Sequence, residues 1–528
     1  MVEDASLAQV AAITARRLEF ELPDVVVEEV PTRQYPTFAA HLFGYVGEVS
    51  DTMVASDGTL KSGDIVGQSG FEKTYNALLK GQDGAKRVVV NSLGREIRTL
   101  EEEPPVEGKR MQLTIDYDVQ QAVEDGFKGL AAANIATAGA AVILDPKTGE
   151  VLAFTSQPAY DPNAFSAGID RTTWNALMSD DDRPLNDRAI QGRYSPGSTF
   201  KMAVAMAGLE EGIITPDFTV RCGGSANFYG NIFQCWNKKG HGTIDLRHAI
   251  EQSCNVFFYT VGNMVGVDRI NKWATLLGIG VRSGIDLPNE VTGLVPSTEW
   301  KRRVKHEKWY QGETISVAIG QGAVSVTPVS MAVYMATLAN GGTRVTPHLV
   351  KAVDNDDGKG WAPVPPPAPQ STVAIDPDKL QAIRDGLWLV VNGRGTGHNA
   401  EIKGYDVSGK TGTAQAISLR GGRGRTEKRF QDHGWFVFFA PRDNPQIAGA
   451  VLAENGLHGS NAAIVAKHAM EVFFAKKEGR PLPALKMPGG VGPPVAPDPE
   501  TEPLAPPVAV GPTAPPTTTA APVAVGTR

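Results

Sequence analysis

The stretch Tyr194-Ser195-Pro196-Gly197-Ser198-Thr199-Phe200-Lys201 carries the strongest signal for fold and chemistry in this 528-residue chain. Ser195-Pro196 predicts a helix start, because proline is tolerated in a first turn, where its missing N–H costs little. Ser198 and Lys201 then lie three residues apart on one helix face, so the amine can reach the hydroxyl. A serine hydroxyl needs a neighbouring base to become a good nucleophile, and Lys201 suits that role if its amine is partly neutral.

Two later segments carry residues that complete such a site. Ser253-Cys254-Asn255 precedes an apolar helical run, so its serine and its amide can point into one cleft, one relaying a proton and the other holding a peptide group. In the strand-like run that begins at Ser408, the side chains of Lys410, Thr411 and Thr413 suit a carboxylate, and Gly412 lets the backbone approach a ligand closely. In the order S-x-x-K, S-x-N and K-T-G, the segments match the signature of penicillin-binding proteins and class A β-lactamases.

Composition places the chain among globular proteins and excludes several classes of function. Hydrophobic residues make up 41% and charged residues 21% of the sequence, which is enough for a sizeable core. The net charge is −7, which gives no basic excess, and no basic run suggests nucleic acid, so nucleic acid is not expected as a partner. No stretch approaches the roughly 18 apolar residues that a membrane helix needs, and no signal peptide is recognisable at the N-terminus.

The sequence divides into three parts. Residues 1–105 contain short β-rich runs, such as the one at 86–90, and predict a small first domain. Residues 106–478 begin and end with strand-like runs and have helical stretches between them, which predicts a layered α/β (α+β) domain with one sheet closed by both ends. Residues 479–528 are rich in proline, alanine and threonine and predict a disordered tail.

The chain resembles the elongation-type class B penicillin-binding proteins, the group of penicillin-binding protein 2. The similarity runs from about residue 25 to about residue 475 and rests on more than the three motifs. Five other segments contribute to it: His41-Leu42-Phe43-Gly44-Tyr45-Val46-Gly47, Gly67-Gln68-Ser69-Gly70-Phe71-Glu72-Lys73, Tyr160-Asp161-Pro162-Asn163, Trp309-Tyr310-Gln311-Gly312-Glu313-Thr314-Ile315 and Ile319-Gly320-Gln321-Gly322. The resemblance implies a transpeptidase domain with a five-stranded antiparallel sheet between helices, after a truncated pedestal of the dimerisation type.

The resemblance also implies a reaction and a role for each motif residue. Ser198 attacks the penultimate D-alanine carbonyl of a peptidoglycan stem peptide, and a neighbouring stem-peptide amine resolves the acyl-enzyme. Backbone N–H groups of Ser198 and Thr413 form the oxyanion hole. The side-chain roles are general base for Lys201, proton relay for Ser253, amide binding for Asn255, and binding of the terminal carboxylate around Gly412 for Lys410, Thr411 and Thr413.

Partners and location follow from the same resemblance. Stem peptides and β-lactams are the expected ligands, and a lipid II polymerase of the shape, elongation and division family is the expected protein partner. The expected location is the periplasmic face of the inner membrane. Family members carry a membrane helix upstream of the pedestal, so we interpret the sequence as a fragment, or a miscalled start, of a longer protein that serves cell elongation and rod shape.

Three cysteines and a histidine form a candidate metal site between the first two motifs. Cys222, Cys235, His241 and Cys254 offer three sulfurs and one imidazole, a donor set that structural zinc prefers. Family members have a metal at the matching positions, with aspartates in place of some cysteines. The hypothesis is a structural zinc that braces the loop of the second motif. A disulfide with one free thiol, or three buried free cysteines, remain as alternatives, and no organic cofactor is implied.

Two other functions fit the motifs. A D,D-carboxypeptidase or a β-lactamase passes the acyl group to water, but no Glu-x-x-Leu-Asn element of class A β-lactamases is evident. A non-catalytic scaffold or β-lactam sensor keeps the fold without turnover, but the complete motif set argues against a degenerate site. The transpeptidase is therefore the favoured interpretation.

Overall fold

The structure is a computed structural model that describes residues 6–16, 33–92, 96–355, 360–415 and 430–487. The predicted C-terminal tail lies almost wholly outside the described residues. None of the described helices combines the length and the apolar character that are needed to cross a bilayer.

The N-terminal part is built from short elements, as the sequence predicts. Strands β1 and β2 pair antiparallel, and β3 and β4 form a longer antiparallel hairpin. Glycines allow the pedestal segments 41–47 and 67–73 to meet, since a Cβ on Gly44 would lie 2.0 Å from the Ser69 carbonyl oxygen. The elements are α1 (Leu7–Arg16), α2 (Ala40–Phe43), β1 (Val46–Glu48), α3 (Asp51–Ser56), β2 (Ile65–Gly67), α4 (Gly70–Thr74), α5 (Asn76–Leu79), β3 (Ala85–Val90) and β4 (Glu96–Glu103).

The second part contains the central sheet and most of the helices. In chain order its elements are β5 (Met111–Leu113), α6 (Tyr117–Ala132), β6 (Ala138–Leu144), β7 (Val151–Gln157), α7 (Pro162–Ser166), α8 (Arg171–Ser179), α9 (Lys201–Glu210), β8 (Thr219–Cys222), β9 (Ser225–Phe228), β10 (Asn231–Gln234), β11 (Gly242–Asp245), α10 (Leu246–Glu251), α11 (Asn255–Val265), α12 (Val267–Leu276), α13 (Thr298–Trp300), α14 (Gln311–Val317), α15 (Pro328–Ala339), β12 (Thr343–Arg344), β13 (Val350–Asp354), β14 (Trp361–Pro363), β15 (Ser371–Thr372), α16 (Pro377–Asn392), β16 (Ser408–Ala414), β17 (His433–Ala440), β18 (Ile447–Glu454) and α17 (Gly459–Lys477).

A five-stranded antiparallel sheet is the centre of this part, in the order β16-β17-β18-β6-β7. Alternate side chains of β6 pack into two different hydrophobic cores, one on each face of the sheet, because successive side chains in a strand point to opposite faces. Val142 packs with the helices α9, α11 and α15, whereas Ile143 packs with α6 and α17. Both faces are therefore covered by helices, which confirms the predicted layered fold.

Hydrogen bonds tie the N-terminal part to the sheet domain. The Tyr35 N–H donates to Asn163 Oδ1 at 2.8 Å, and the Ala39 N–H donates to Glu124 Oε1 at 2.7 Å. Glu124 is buried, so this bond also satisfies a carboxylate that would otherwise be costly to desolvate. The two parts therefore share an interface with polar contacts, called the seam below, and are not joined by a linker alone.

Candidate active site

The first motif forms a tight turn that runs into a helix. Gly197–Phe200 is a 3₁₀ helix, and Lys201 is the first residue of α9. The helix predicted for Ser198 and Lys201 therefore starts as a 3₁₀ turn. Their juxtaposition is kept, because side chains three residues apart eclipse one another in a 3₁₀ helix. Ser198 and Lys201 are both buried.

Glycine at position 197 lets this turn fit between two other segments. Gly197 has a φ of +54°, and a Cβ there would lie 2.3 Å from the Thr413 carbonyl oxygen of β16. Its N–H donates to the Gly320 carbonyl at 3.1 Å. A Cβ on Gly320 would in turn lie 2.2 Å from the Gly197 carbonyl oxygen. The third motif and the segment 319–322 thus pack against both sides of the turn 196–200. This turn is called the nucleophile turn below, after the predicted role of Ser198.

The second motif meets the first at the amine of Lys201. Lys201 Nζ donates to Ser253 O at 2.8 Å, to Ser253 Oγ at 2.9 Å and to Asn255 Oδ1 at 2.7 Å. Ser253 has a φ of +53°, a left-handed conformation uncommon for a residue other than glycine. Cys254 is the N-cap residue of α11, and Asn255 is the first residue of that helix. The strained turn therefore aims both polar side chains at Lys201.

The third motif lies on β16, the edge strand of the sheet beside the nucleophile turn. Lys410 is fully buried and donates to the Thr411 carbonyl at 3.0 Å. A Cβ on Gly412 would lie 2.8 Å from the Pro196 carbonyl oxygen, so the strand can approach the turn only with glycine there. Thr411 and Thr413 are 6% and 7% exposed, which leaves some surface for a ligand. The structure therefore brings all three motifs into one cleft.

The candidate metal ligands also come together. One donor atom each from Cys222, Cys235, His241 and Cys254 lies within 4.8 Å of the others. His241 Nδ1 is 3.5 Å from Cys222 Sγ and 3.6 Å from Cys235 Sγ, and all three cysteines are free and buried. Hydrogen bonds from the other two thiols lower the pKa of Cys222 below its usual range. Tetrahedral zinc sets its sulfurs about 3.8 Å apart, so the group fits such an ion.

The four candidate metal ligands are connected to the second motif. Cys254 stands between Ser253 and Asn255 in sequence, and it is fully buried. The Trp236 indole N–H donates to the Gln252 carbonyl at 2.8 Å, which ties the loop at 235–241 to the same turn. An ion held here would restrain the backbone that positions the Asn255 amide and the Ser253 hydroxyl.

Three residues near the cleft were missed by the sequence analysis. Thr396 contacts Thr411 through its hydroxyl, and the Glu251 carboxylate accepts from the Arg394 N–H at 2.6 Å. Arg188 is buried and pairs with Glu454. No sequence signal marks any of them, because each contact joins residues that are distant along the chain.

The segment at 309–315, one of those that carry the family resemblance, stabilises the start of α14. Lys301 is buried and pairs with Glu313 and Glu307, and it lies over the Tyr310 ring at 4.8 Å from the centroid. The Trp309 indole N–H donates to Thr314 Oγ1 at 2.9 Å. This cluster holds the start of α14, the helix that leads to Gly320 beside the nucleophile turn.

Two protein families match the chain. The family described as "Penicillin binding protein transpeptidase domain" matches residues 139–471, and "Penicillin-binding Protein dimerisation domain" matches residues 1–113. The curated Peptidoglycan D,D-transpeptidase MrdA of Acinetobacter baumannii is 37% identical over 88% of this chain and 69% of the relative. The protein of the same name from Escherichia coli K12 is 36% identical over 88% of this chain and 75% of the relative.

Several solved structures also resemble this chain. Pseudomonas aeruginosa PBP2 in complex with WCK 5153 has a TM-score of 0.71 and 36% identity, over 85% of this chain and 92% of that one. Helicobacter pylori PBP2 in its complex with MreC has a TM-score of 0.75 and 30% identity, over 88% and 84%. A chain from a peptidoglycan synthase complex that coordinates polymerization and crosslinking has a TM-score of 0.71 and 33% identity, over 89% and 80%.

Proposed function

The chain belongs to the penicillin-binding protein transpeptidase family, and from this premise we propose that it cross-links peptidoglycan stem peptides through an acyl-enzyme on Ser198. The family matches and the relatives confirm the predicted resemblance to elongation-type penicillin-binding protein 2 and the enzyme class, peptidoglycan D,D-transpeptidase. The observation that carries the residue-level proposal is the contact of Lys201 Nζ with Ser253 and Asn255, next to a serine turn clamped by β16. The domain boundary at residue 105 stays a prediction.

The proposed reaction has two steps. Ser198 Oγ attacks the penultimate D-alanine carbonyl while Lys201 takes its proton, and backbone N–H groups of Ser198 and Thr413 stabilise the oxyanion. Ser253 then passes a proton to the leaving amine, so the C–N bond breaks and the terminal D-alanine departs. An amine of a second stem peptide attacks the ester carbonyl, and its proton returns to Ser198 Oγ as the cross-link forms.

The remaining motif residues bind the donor peptide in this proposal. Asn255 holds a substrate amide, and Lys410, Thr411 and Thr413 hold the terminal carboxylate, with Gly412 between the two threonines. A charge-assisted contact with a carboxylate is about twice as strong as a neutral hydrogen bond, which suits the recognition of a free C-terminus. β-Lactams with a carboxylate at the matching place are expected to acylate the same serine.

The cellular setting is proposed from the relatives. A Helicobacter pylori relative forms a complex with MreC, and another related chain belongs to a complex that couples polymerization to crosslinking. We infer that this protein works with a lipid II polymerase of the shape, elongation and division family, for cell elongation and rod shape. Its substrate requires a location at the periplasmic face of the inner membrane.

Covalent labelling by a fluorescent penicillin tests the proposed function. We expect stable labelling of the chain and none of Ser198→Ala, while Ser195→Ala, the matched control three residues upstream, stays labelled. The Ser195 hydroxyl donates to the Val324 carbonyl at 3.4 Å, and the Ser195 carbonyl, which accepts from the Trp435 indole N–H at 3.0 Å, is kept in alanine. Release of the label within minutes would favour a hydrolase, and an unlabelled but folded chain would favour a scaffold.

We further propose that Cys222, Cys235, His241 and Cys254 hold a structural zinc ion. The three sulfurs and one imidazole form a closed donor set, which leaves no open position for chemistry. When bound, zinc supplies rigidity to the turn of the second motif. Elemental analysis of purified protein is expected to find about one zinc per chain. Absence of zinc, together with one titratable thiol after denaturation, would instead indicate a disulfide.

A further inference from the structure

The hydroxyls of Thr396 and Thr411 are hydrogen-bonded to each other. Thr411 belongs to the third motif on β16, whereas Thr396 lies in the glycine-rich turn 393–397 that follows α16. We propose that Thr396 is a positioning residue for the carboxylate-binding end of the cleft: its hydroxyl orients the Thr411 hydroxyl toward the terminal carboxylate of the donor peptide. The inference deepens the proposed function and rests on it.

The direction of this hydrogen bond decides what Thr411 can offer to a ligand. A threonine hydroxyl has a single proton to donate, and its oxygen can accept. When the Thr396 hydroxyl donates to Thr411 Oγ1, the proton of Thr411 is left for the carboxylate. A hydrogen bond to a charged acceptor is stronger than one between neutral hydroxyls, so a bound carboxylate selects this direction. The role requires only a donor at position 396, which serine also supplies.

The turn that carries Thr396 is fixed against the end of α16. The Gly397 N–H donates to the Val390 carbonyl at 2.9 Å. A Cβ on Gly395 would lie 2.4 Å from Val390 Cα, so the close approach requires glycine. The backbone on both sides of Thr396 is therefore held, and its side chain has little freedom to leave Thr411.

Glu251 connects the same turn to the second motif. It is the last residue of α10, is 4% exposed, and precedes Ser253 by two positions. Its Oε1 accepts from the Arg394 N–H at 2.6 Å, and a Cβ on Gly393 would also lie 2.6 Å from it. A buried carboxylate is costly without such a donor, so this contact stabilises the turn against α10. One connected path therefore runs from the second motif to Thr411.

The test compares Thr396→Val with Thr396→Ser in the full chain. The probes are a benzoyl-D-alanyl thioester that ends in a free carboxylate, and the methyl ester of the same compound. We expect Thr396→Val to lower kcat/KM for the carboxylate probe about 5- to 10-fold, mainly through KM, because one hydrogen bond to a charged group is weakened. Turnover of the ester should stay unchanged. The probe ratio is kcat/KM for the carboxylate probe divided by kcat/KM for the ester. Thr396→Ser should have the wild-type probe ratio.

A second pair of variants tests the support from α10. Glu251→Gln keeps an oxygen that can accept from the Arg394 N–H, and it should keep the probe ratio. Glu251→Leu removes the acceptor, and it should lower the ratio in the same direction as Thr396→Val. The matched control is Thr337→Val, since Thr337 is buried in α15 and donates to the Val333 carbonyl at 2.8 Å.

The outcomes separate this inference from the proposed function. An equal loss for both probes in Thr396→Val would assign Thr396 a merely structural role, and unchanged kcat/KM values for both probes would assign it none, so either result overturns the inference. In both cases the wild-type chain still turns over the carboxylate probe. A wild-type chain that does not react with this probe would refute the proposed function, and the inference with it.

Discussion

The Nζ atom of Lys201 lies 2.7 Å from Oδ1 of Asn255, in a fully buried position. The same amine also donates to Ser253 O and Ser253 Oγ. All three acceptors are neutral, so they orient the amine without the strong stabilisation of its charge that a carboxylate would give. Such surroundings suit a group that must take a proton from Ser198 and return it.

Asn255→Asp places a carboxylate beside Lys201 without changing the shape of the side chain. The negative charge favours the ammonium form of Lys201, which cannot accept the Ser198 proton. We expect acylation by a penicillin to slow about 100-fold or more, as the loss of a general base implies. The rate of covalent labelling measures this, with thermal unfolding as the check on folding.

Asn263→Asp is the control for this substitution, on the same helix. Asn263 Oδ1 accepts from the Tyr229 hydroxyl at 2.6 Å near the surface, and aspartate preserves that bond. Its labelling rate should equal that of the wild type. Wild-type labelling of Asn255→Asp would rule out Lys201 as the base.

Removal of the proposed zinc should loosen the second motif. His241→Ala deletes the imidazole whose Nδ1 lies 3.5 Å from Cys222 Sγ, so we expect less than half of the wild-type zinc content and a lower unfolding temperature. A chelator should lower the unfolding temperature of the wild type and leave that of His241→Ala nearly unchanged. His248→Ala is the control, because His248 pairs with Asp245 at the surface and not with the cluster. A chelator-resistant wild type without zinc would contradict the metal site.

The sequence predicted the central sheet because its strands are unusually apolar. The runs at 140–144, 434–439 and 447–452 are buried on both faces, and such strands appear as continuous hydrophobic stretches. The small strands β8–β11 were missed inside a region that was expected to be helical. Each of them has at most one buried residue, and four-residue strands give too short a pattern to recognise.

The candidate site was predictable only where a motif marks it. The three motifs and the four candidate metal ligands each lie in a recognisable local pattern, and the structure brings them together. Thr396 and Thr411 are separated by 15 positions, and Glu251 and Arg394 by 143. Contacts of this kind depend on how helices and strands pack, so no local sequence pattern predicts them.

Arg188, which is buried, and Glu454, which is partly exposed, form an ion pair beneath the first motif. The Arg188 side chain is 3% exposed, and Glu454 also accepts from the Tyr194 hydroxyl at 3.2 Å. Arg188→Met leaves the carboxylate without its charged partner, so we expect the free energy of unfolding to fall by about 3 kcal/mol. Urea unfolding measures the loss. The double variant Arg188→Met/Glu454→Gln should recover part of it, since no unpaired charge remains; equal losses in both variants would contradict this explanation.

His41 makes the seam between the two parts of the protein sensitive to acid. Burial lowers the pKa of His41 from 6.5 to about 4, and its Nε2–H donates to the Pro184 carbonyl at 2.8 Å. Between these two values the unfolded chain binds a proton that the folded chain does not. The contribution of His41 to stability is thus fully present above about pH 6.5 and is lost as the pH falls toward 4. It should amount to about 2 kcal/mol between about pH 7 and about pH 5.

The measurement is the difference in the free energy of unfolding between the wild type and His41→Gln at these two pH values. Glutamine keeps an N–H donor for the Pro184 carbonyl but does not titrate, so the variant should lose less stability on acidification. A difference between variants is needed because burial raises the pKa of Asp187 from 3.8 to about 7, and that carboxyl stabilises the folded chain as the pH falls. Asp187→Asn should therefore change the pH dependence in the opposite direction. Equal acid sensitivity of the wild type and His41→Gln would show that His41 is not the group responsible.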